Sequence, residues 1–218
     1  MASSSRTALV VRGGWDGHVP VEATEAFIPF LKENGFTVTV SDSLDVYTDA
    51  DLLAGTDLIL QCWTMGTISK EQSAGLAAAV KAGTGLAGWH GGIVDSFRSD
   101  IHYLWMTGGQ FLDHPGGQID YEVEVTSDDP IVAGIDRIAV HTEQYWVASD
   151  DLNEVLATTT FQPGPDTAWR APVTVPVVWK RLWGQGKVFV NTVGHTVADL
   201  EMPEIRAITE RGLLWASR

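Results

Sequence analysis

The sequence predicts an α/β fold on a mostly parallel central sheet, with antiparallel strands added in the C-terminal half. Three observations lead there. Over the first ninety residues, short apolar β-type runs alternate with segments of helical spacing, the pattern of βαβ units and hence of parallel strands. Beyond residue 118 the strands follow one another without helical segments between them and alternate polar with apolar residues, as half-buried strands do. The length of 218 residues suits one domain, 1–218, and no repeat, low-complexity block or long linker divides it.

Residues 7–12 (TALVVR) read as a buried first strand that breaks at Gly13-Gly14. Residues 21–34 carry Ala23, Phe27, Phe30 and Leu31 at helical spacing. Pro20 suits the first turn, Pro29 implies a kink or early break, and Gly35 is the stop. Residues 37–41 form a second strand and 49–53 a short helical turn. Residues 57–63 (DLILQCW) barely alternate, which marks a strand buried on both faces. Residues 69–82 form a helix capped by Ser69, with Gln72 completing a capping box. Residues 85–90 are the fourth strand. Right-handed crossovers then set every strand-to-helix loop of this half along one sheet edge. Residues 96–108 read as helical. Strands follow at 118–126, 137–146 and 154–161, then a Pro- and Gly-rich loop at 162–176. A hairpin at 175–183 and 187–193 turns at Gly184-Gln185-Gly186, and a helix at 204–216 closes the chain behind Pro203.

Charge and composition narrow the partners. The net charge is −14, and the 14 Lys and Arg are scattered. Nucleic acid and anionic membrane surfaces need clustered cations, so neither is expected. No apolar run reaches the ~20 residues of a membrane span, and the start, Met1 to Arg6, is polar without an apolar signal core. The single cysteine, Cys62, leaves no disulfide framework and no multi-thiolate metal site. A soluble, cytoplasmic protein is the expectation. Nine tryptophans offer flat faces for core packing or for sugar rings, and a tryptophan-rich surface is compatible with a homodimer.

The histidines carry the functional signal. Five of six fall at strand ends or in loops: His18, His90, His114, His141 and His195; His102 lies in a helical segment. Taken singly, each is better explained as structural or solvated than as catalytic. Yet His18 and His90 both follow parallel strands, so the topology brings them to one edge. The turn Gly88-Trp89-His90-Gly91-Gly92 has the spacing of a strand-to-helix elbow, which holds its central residue strained and exposed. Backbone N–H groups at such a turn suit an oxyanion or a polarised carbonyl. If 137–146 is one strand, His141, Glu143 and Tyr145 share a face, an acid/base set if buried and polar decoration if exposed. Asp16, Gln110 and Asp113 are expected to be structural loop residues.

Together these segments resemble the ThuA-like (trehalose utilisation) family. The matching pieces are Gly88–Gly92, the stretch from Gly108 to Pro115 (GGQFLDHP), Glu143-Gln144-Tyr145, Pro176 to Trp179, and Gly186 to His195 (GKVFVNTVGH), in the family's order over most of the chain. The resemblance implies a flavodoxin-like three-layer sandwich of the class I glutamine amidotransferase-like superfold. Amidotransferases of that superfold place a Cys at the elbow, with a His and a Glu two residues after it. Here His90 replaces the Cys, Val197 stands two residues after His195, and Cys62 ends the third strand, away from the elbow. Cys-dependent glutaminase chemistry is therefore not expected.

The resemblance implies instead a link to disaccharide and 3-keto-sugar metabolism, as an isomerase, lyase or hydrolase. On this reading His90, Glu143 and His195 are the catalytic candidates. Trp15, His18, Trp89, Gly91, Gly92, His114, His141, Tyr145 and Trp179 are the candidates for contacting a small-molecule sugar. A divalent metal such as zinc, held among His18, His90, His114 and His195, fits the same chemistry. A non-catalytic sugar- or metabolite-binding protein on the same fold is the alternative, and a purely structural module would leave the histidines unconverged.

Overall fold

Strict alternation of buried side chains along the central strands produces three layers. The computed structural model describes residues 6–218; the polar start read at residues 1–5 lies outside the described residues. The first half runs β1 (Arg6–Gly14), α1 (Pro20–Glu25), α2 (Ile28–Glu33), β2 (Phe36–Ser41), α3 (Ala50–Ala54), β3 (Leu58–Thr64), α4 (Lys70–Ala82), β4 (Gly85–Trp89), α5 (Gly91–Val94) and α6 (Ile101–Thr107). The second runs β5 (Gly109–Asp113), β6 (Gln118–Val125), β7 (Arg137–Glu143), β8 (Trp146–Ser149), β9 (Glu154–Phe161), β10 (Val173–Trp183), β11 (Gly186–Asn191), α7 (Val197–Glu201) and α8 (Pro203–Ala216). Ala8 and Val10 of β1, Leu58 and Leu60 of β3 and Ala87 of β4 face a core shared with α1, α2 and α8. Leu9, Val11, Ile59 and Leu86, one residue out of step, face a second core with Leu76 and Val80 of α4 and Tyr103 of α6. A period of two along each strand feeds both layers.

The main sheet has nine strands in the order β2-β1-β3-β4-β11-β10-β9-β6-β7. Pairings from β2 through β11 are parallel, and those from β11 through β7 are antiparallel. The expected architecture, a mostly parallel sheet with antiparallel additions behind it, is what forms. Among the described residues no helix is long and apolar enough to cross a membrane.

Local chemistry explains the boundaries. Pro29 sits at the start of α2, so the helical stretch 21–34 is two helices with Phe27 between them. Ser69 accepts from the Gln72 N–H and the Gln72 side chain accepts from the Ser69 N–H, the capping box read from sequence, worth about 1 kcal/mol. Three expectations change. The helix read at 96–108 forms only over α6, because Asp100 caps Tyr103 N–H and starts it there. Residues 109–113, read as loop, form β5 against β8 in a separate two-stranded sheet. The strand read at 137–146 stops at Glu143, and the chain turns at Gln144-Tyr145 into β8. Pro176 lies inside β10, but at a register irregularity, where its missing N–H breaks no regular ladder.

Candidate active site

Four strand ends build the site. His18 ends a short 3-10 turn after β1, His90 follows β4, Glu143 ends β7 and His195 follows β11. β1, β4 and β11 are parallel strands of one sheet, so their C-terminal ends lie along one edge. β7 stands last in the strand order, yet its end reaches His90, with Glu143 Oε2 3.1 Å from His90 Nε2.

His90 occupies the elbow foreseen for it. Its φ of 48° and ψ of −143° are an unfavourable conformation for a residue with a Cβ. Backbone strain gathers here, since Val19 after His18 and Met65 after Thr64 also have positive φ, at 41° and 58°. The His90 N–H donates to Asn191 O at 2.7 Å, tying the elbow to β11. The helix it opens, α5, is a single turn. Gly91 and Gly92 are buried spacers: a Cβ on Gly91 would meet the His18 ring at 2.5 Å, and one on Gly92 would meet Cys62 Cα at 2.8 Å. Cys62 is therefore packed directly beneath the elbow rather than away from it. Its thiol is buried, and burial pushes its pKa up to about 12, so it is no nucleophile.

Glu143 is the hub. Its Oε2 lies 3.1 Å from His90 Nε2 and 3.3 Å from His195 Nδ1, while Oε1 lies 3.7 Å from His114 Nε2. The His18 ring stands edge-on to those of His90 and His195, with centroids 4.6 and 5.2 Å away. Two of the rings are held from behind. His90 Nδ1 donates to the Thr192 carbonyl at 2.8 Å, and His18 Nδ1 shares a 2.9 Å hydrogen bond with the Thr64 hydroxyl. Tyr145 stacks on the His90 ring at 3.9 Å, and Phe111 packs against Tyr145. His195 Nδ1 approaches Glu143 off the hydrogen-bonding direction and is buried without a hydrogen-bond partner.

Burial and neighbouring charge set the protonation states apart. Burial, reinforced by His90 and His195, lowers the pKa of His18 to about 3, so its ring is neutral at pH 7. Burial also lowers His90, although Glu143 and the Thr192 carbonyl oppose it. Glu143 beside it raises His195 despite partial burial. For Glu143, burial pushes upward, but His195 and His90 outweigh it and hold the carboxyl well below the usual carboxylate range. The site thus pairs an ionised carboxylate with neutral rings and one imidazole disposed to carry a proton. His18 and His90 are buried, whereas Glu143 and His195 are 12% and 13% exposed and His114 is 38% exposed. Trp15, 47% exposed, stands edge-on to His18 at 4.8 Å.

The five groups expected to converge, His18, His90, His114, Glu143 and His195, do so. Tyr145 and Trp15 also adjoin them. Three other candidates do not serve as proposed. Trp89 is 1% exposed and packs on Phe27, and Trp179 is 0% exposed with its Nε1–H donating to Thr107 O. A ring sealed in the core presents no face to a sugar. His141 points to solvent and pairs with Asp120 across the β6–β7 ladder. Reading from sequence missed Thr64 and the Thr192 carbonyl, which hold two of the rings. It also missed Asp199, which accepts from Thr142 and from the Thr196 N–H and adds negative charge near His195. Thr64 closes β3 and Thr192 comes just after Asn191 at the end of β11, and a threonine at the C-terminal end of a strand on that edge is the signal that could have found them. A cavity of about 600 Å³ lies along Tyr121, Gln144, Phe161 and Trp169. Tyr121 donates to the Glu143 carbonyl, so its wall adjoins the hub residue.

A family model described as ThuA, trehalose utilisation, matches residues 7–216. The structure is similar to a ThuA-like protein from Bacteroides uniformis ATCC 8492, with a TM-score of 0.78 and 16% identity over 99% of this chain and 93% of that one. A ThuA-like protein from Parabacteroides merdae ATCC 43184 gives 0.75 and 14% over 98% and 90%. A cytoplasmic protein from Salmonella typhimurium LT2 gives 0.67 and 12% over 97% and 100%. At these identities the structural likeness speaks for the fold alone. Among curated proteins no relative of the sequence is found.

Proposed function

The chain belongs to the ThuA trehalose-utilisation family, which suggests a carbohydrate-related function, and from that premise we propose that it is an enzyme acting on a keto-sugar by His/Glu acid–base chemistry. One observation carries the reading: Glu143 and the rings of His18, His90, His114 and His195, from segments far apart in the chain, converge in one cluster that is buried at His18 and His90 and partly open at Glu143, His195 and His114. Such a set has no structural need to be there, since leaving several imidazoles partly desolvated costs stability. A ring carbonyl makes the neighbouring C–H acidic. A base of the cluster takes that proton while the carbonyl oxygen takes up the charge as an enediolate. Delivering the proton to the former carbonyl carbon, while the neighbouring hydroxyl proton passes to the enediolate oxygen, completes an isomerisation; expelling a β-alkoxy group, protonated as it leaves, completes an elimination. Glu143 and His195 reach solvent and are the groups placed to move these protons. Trp15 offers an exposed flat face for a sugar ring.

The test is turnover of a panel of 3-keto-glucosides and 3-keto-disaccharides followed by NMR, in wild type and in Glu143→Gln and His195→Gln. Turnover in the wild type, reduced by about 10² or more in the variants while sugar binding persists, supports the enzyme. Binding without turnover of any member would replace this reading with that of a sugar-binding protein.

A further inference from the structure

We propose that His18, His90, Glu143 and His195 form a binding site for a divalent transition-metal ion, with zinc the best match to the donor set. One donor atom from each lies within 4.8 Å of the other three. Zinc holds nitrogen and carboxylate donors at about 2.0–2.2 Å in a tetrahedron, which sets donor-to-donor edges of about 3.3–3.5 Å. The His90 Nε2 to Glu143 Oε2 and Glu143 Oε2 to His195 Nδ1 separations, 3.1 and 3.3 Å, are already at or just inside that edge. The widest separation must contract by little more than 1 Å.

Hydrogen bonding points the same way. His90 commits Nδ1–H to the Thr192 carbonyl, which can only accept. With Nδ1–H so committed, His90 aims Nε2 at a Glu143 oxygen 3.1 Å away, a contact that either a proton or a metal ion between the two atoms satisfies. His195 Nδ1 is buried in the same cluster with no hydrogen-bond partner, a donor atom without an assignment. A backbone carbonyl behind a histidine is also the usual way a protein fixes the tautomer and aim of a metal ligand.

The donor set selects among metals. Three imidazoles and one carboxylate oxygen suit zinc and its transition-metal neighbours, whereas calcium and magnesium require mainly oxygen. His114 is not part of the set. It faces the other Glu143 oxygen from the solvent side at 3.7 Å, and a water or sugar oxygen arriving there would be a fifth donor to the ion. A metal here would polarise that oxygen. The proposal does not depend on the keto-sugar reading.

The full chain is stripped with a strong chelator and titrated with zinc chloride by calorimetry, and elemental analysis follows gel filtration. One zinc retained per chain is expected. His195→Ala and Glu143→Gln should each weaken binding by roughly 100-fold, while His102→Ala and His141→Ala leave it unchanged. Should the variants fold poorly, cobalt(II) added to the wild type gives a second reading, with visible bands of a four- or five-coordinate nitrogen and oxygen site. Failure of the folded wild type to retain zinc or to develop those bands overturns the proposal. So does one equivalent bound equally well by His195→Ala and Glu143→Gln, and so does tighter binding of calcium or magnesium.

Discussion

Gly91→Ala tests whether the position of His18, rather than its presence, matters. The backbone at Gly91 is open to alanine, because its φ is outside the left-handed range that favours glycine. A methyl there would nevertheless lie 2.5 Å from His18 Cε1, 2.6 Å from Nδ1 and 3.0 Å from Thr64 Cγ2. Carbon contacts settle at about 3.5–4.0 Å, so the ring must retreat by about 1 Å. The elbow cannot yield instead, since its N–H is anchored to Asn191 and Gly92 is pressed on Cys62. His18 sits on a short turn beside exposed Trp15, and it moves, losing its bond to Thr64. Overpacking costs about 1–3 kcal/mol, and exchanging glycine for alanine in a helix returns up to about 1 kcal/mol. The net loss of stability is then at most about 3 kcal/mol, measured by urea denaturation. A 1 Å misplacement of a reacting group costs on the order of 10² in rate, so turnover and zinc affinity should fall far more than stability does. A Gly91→Ala protein with wild-type turnover and zinc affinity, and a His18 ring resonance shifted from wild type, would refute the reasoning.

All four tyrosines, Tyr47, Tyr103, Tyr121 and Tyr145, are raised by burial above the phenol value of about 10. Their stabilisation is whole below that value and is lost as pH rises beyond it, so tyrosinate absorbance should appear only together with loss of near-ultraviolet circular dichroism; phenols titrating at pH 10 in a native fold would contradict this. Cys62 should resist iodoacetamide at pH 8 in the native protein and react fully in denaturant, as its burial and its pKa of about 12 require. Stoichiometric labelling of native protein, read by mass spectrometry, would count against its placement under Gly92. His141→Ala should change the urea midpoint by no more than about 0.5 kcal/mol in stability and leave turnover intact, because the ring is solvent-facing and pairs only with Asp120.

Sequence pattern reached the parallel half of the fold because its signals are local. Helical spacing, capping at Ser69, the stop at Gly83 and the unbroken apolar runs of β3 and β4 each speak within a few residues. It misread residues 137–146 because alternation persists there while the backbone turns: Gln144 is satisfied by Thr159, Tyr145 packs on His90, and Trp146 begins pairing in another sheet. Nothing in the side-chain pattern marks that change of partner. Trp89 and Trp179 show the limit of residue type, since a tryptophan on a fully buried central strand and one lining a cleft look alike in sequence.

The site was legible to the extent that topology alone determines it. His18, His90 and His195 follow parallel strands, and parallel strands can only end on the same edge. The carboxylate was harder to place, because Glu143 comes from the last strand in the order, four strands away from β11, and no parallel-strand rule brings it to that edge. The carboxylate that the amidotransferase resemblance leads one to expect two residues after His195 is absent, with Val197 in its position. Glu143 brings a negative charge to that imidazole from a different strand, and Asp199 adds to it from behind. At the elbow, His90 Nε2 has the same carboxylate as its neighbour and the rings of His18 and His195 within reach. On the proposed function and the proposed metal site, one carboxylate thereby serves both imidazoles, and a change at Glu143 should disturb His90 and His195 together.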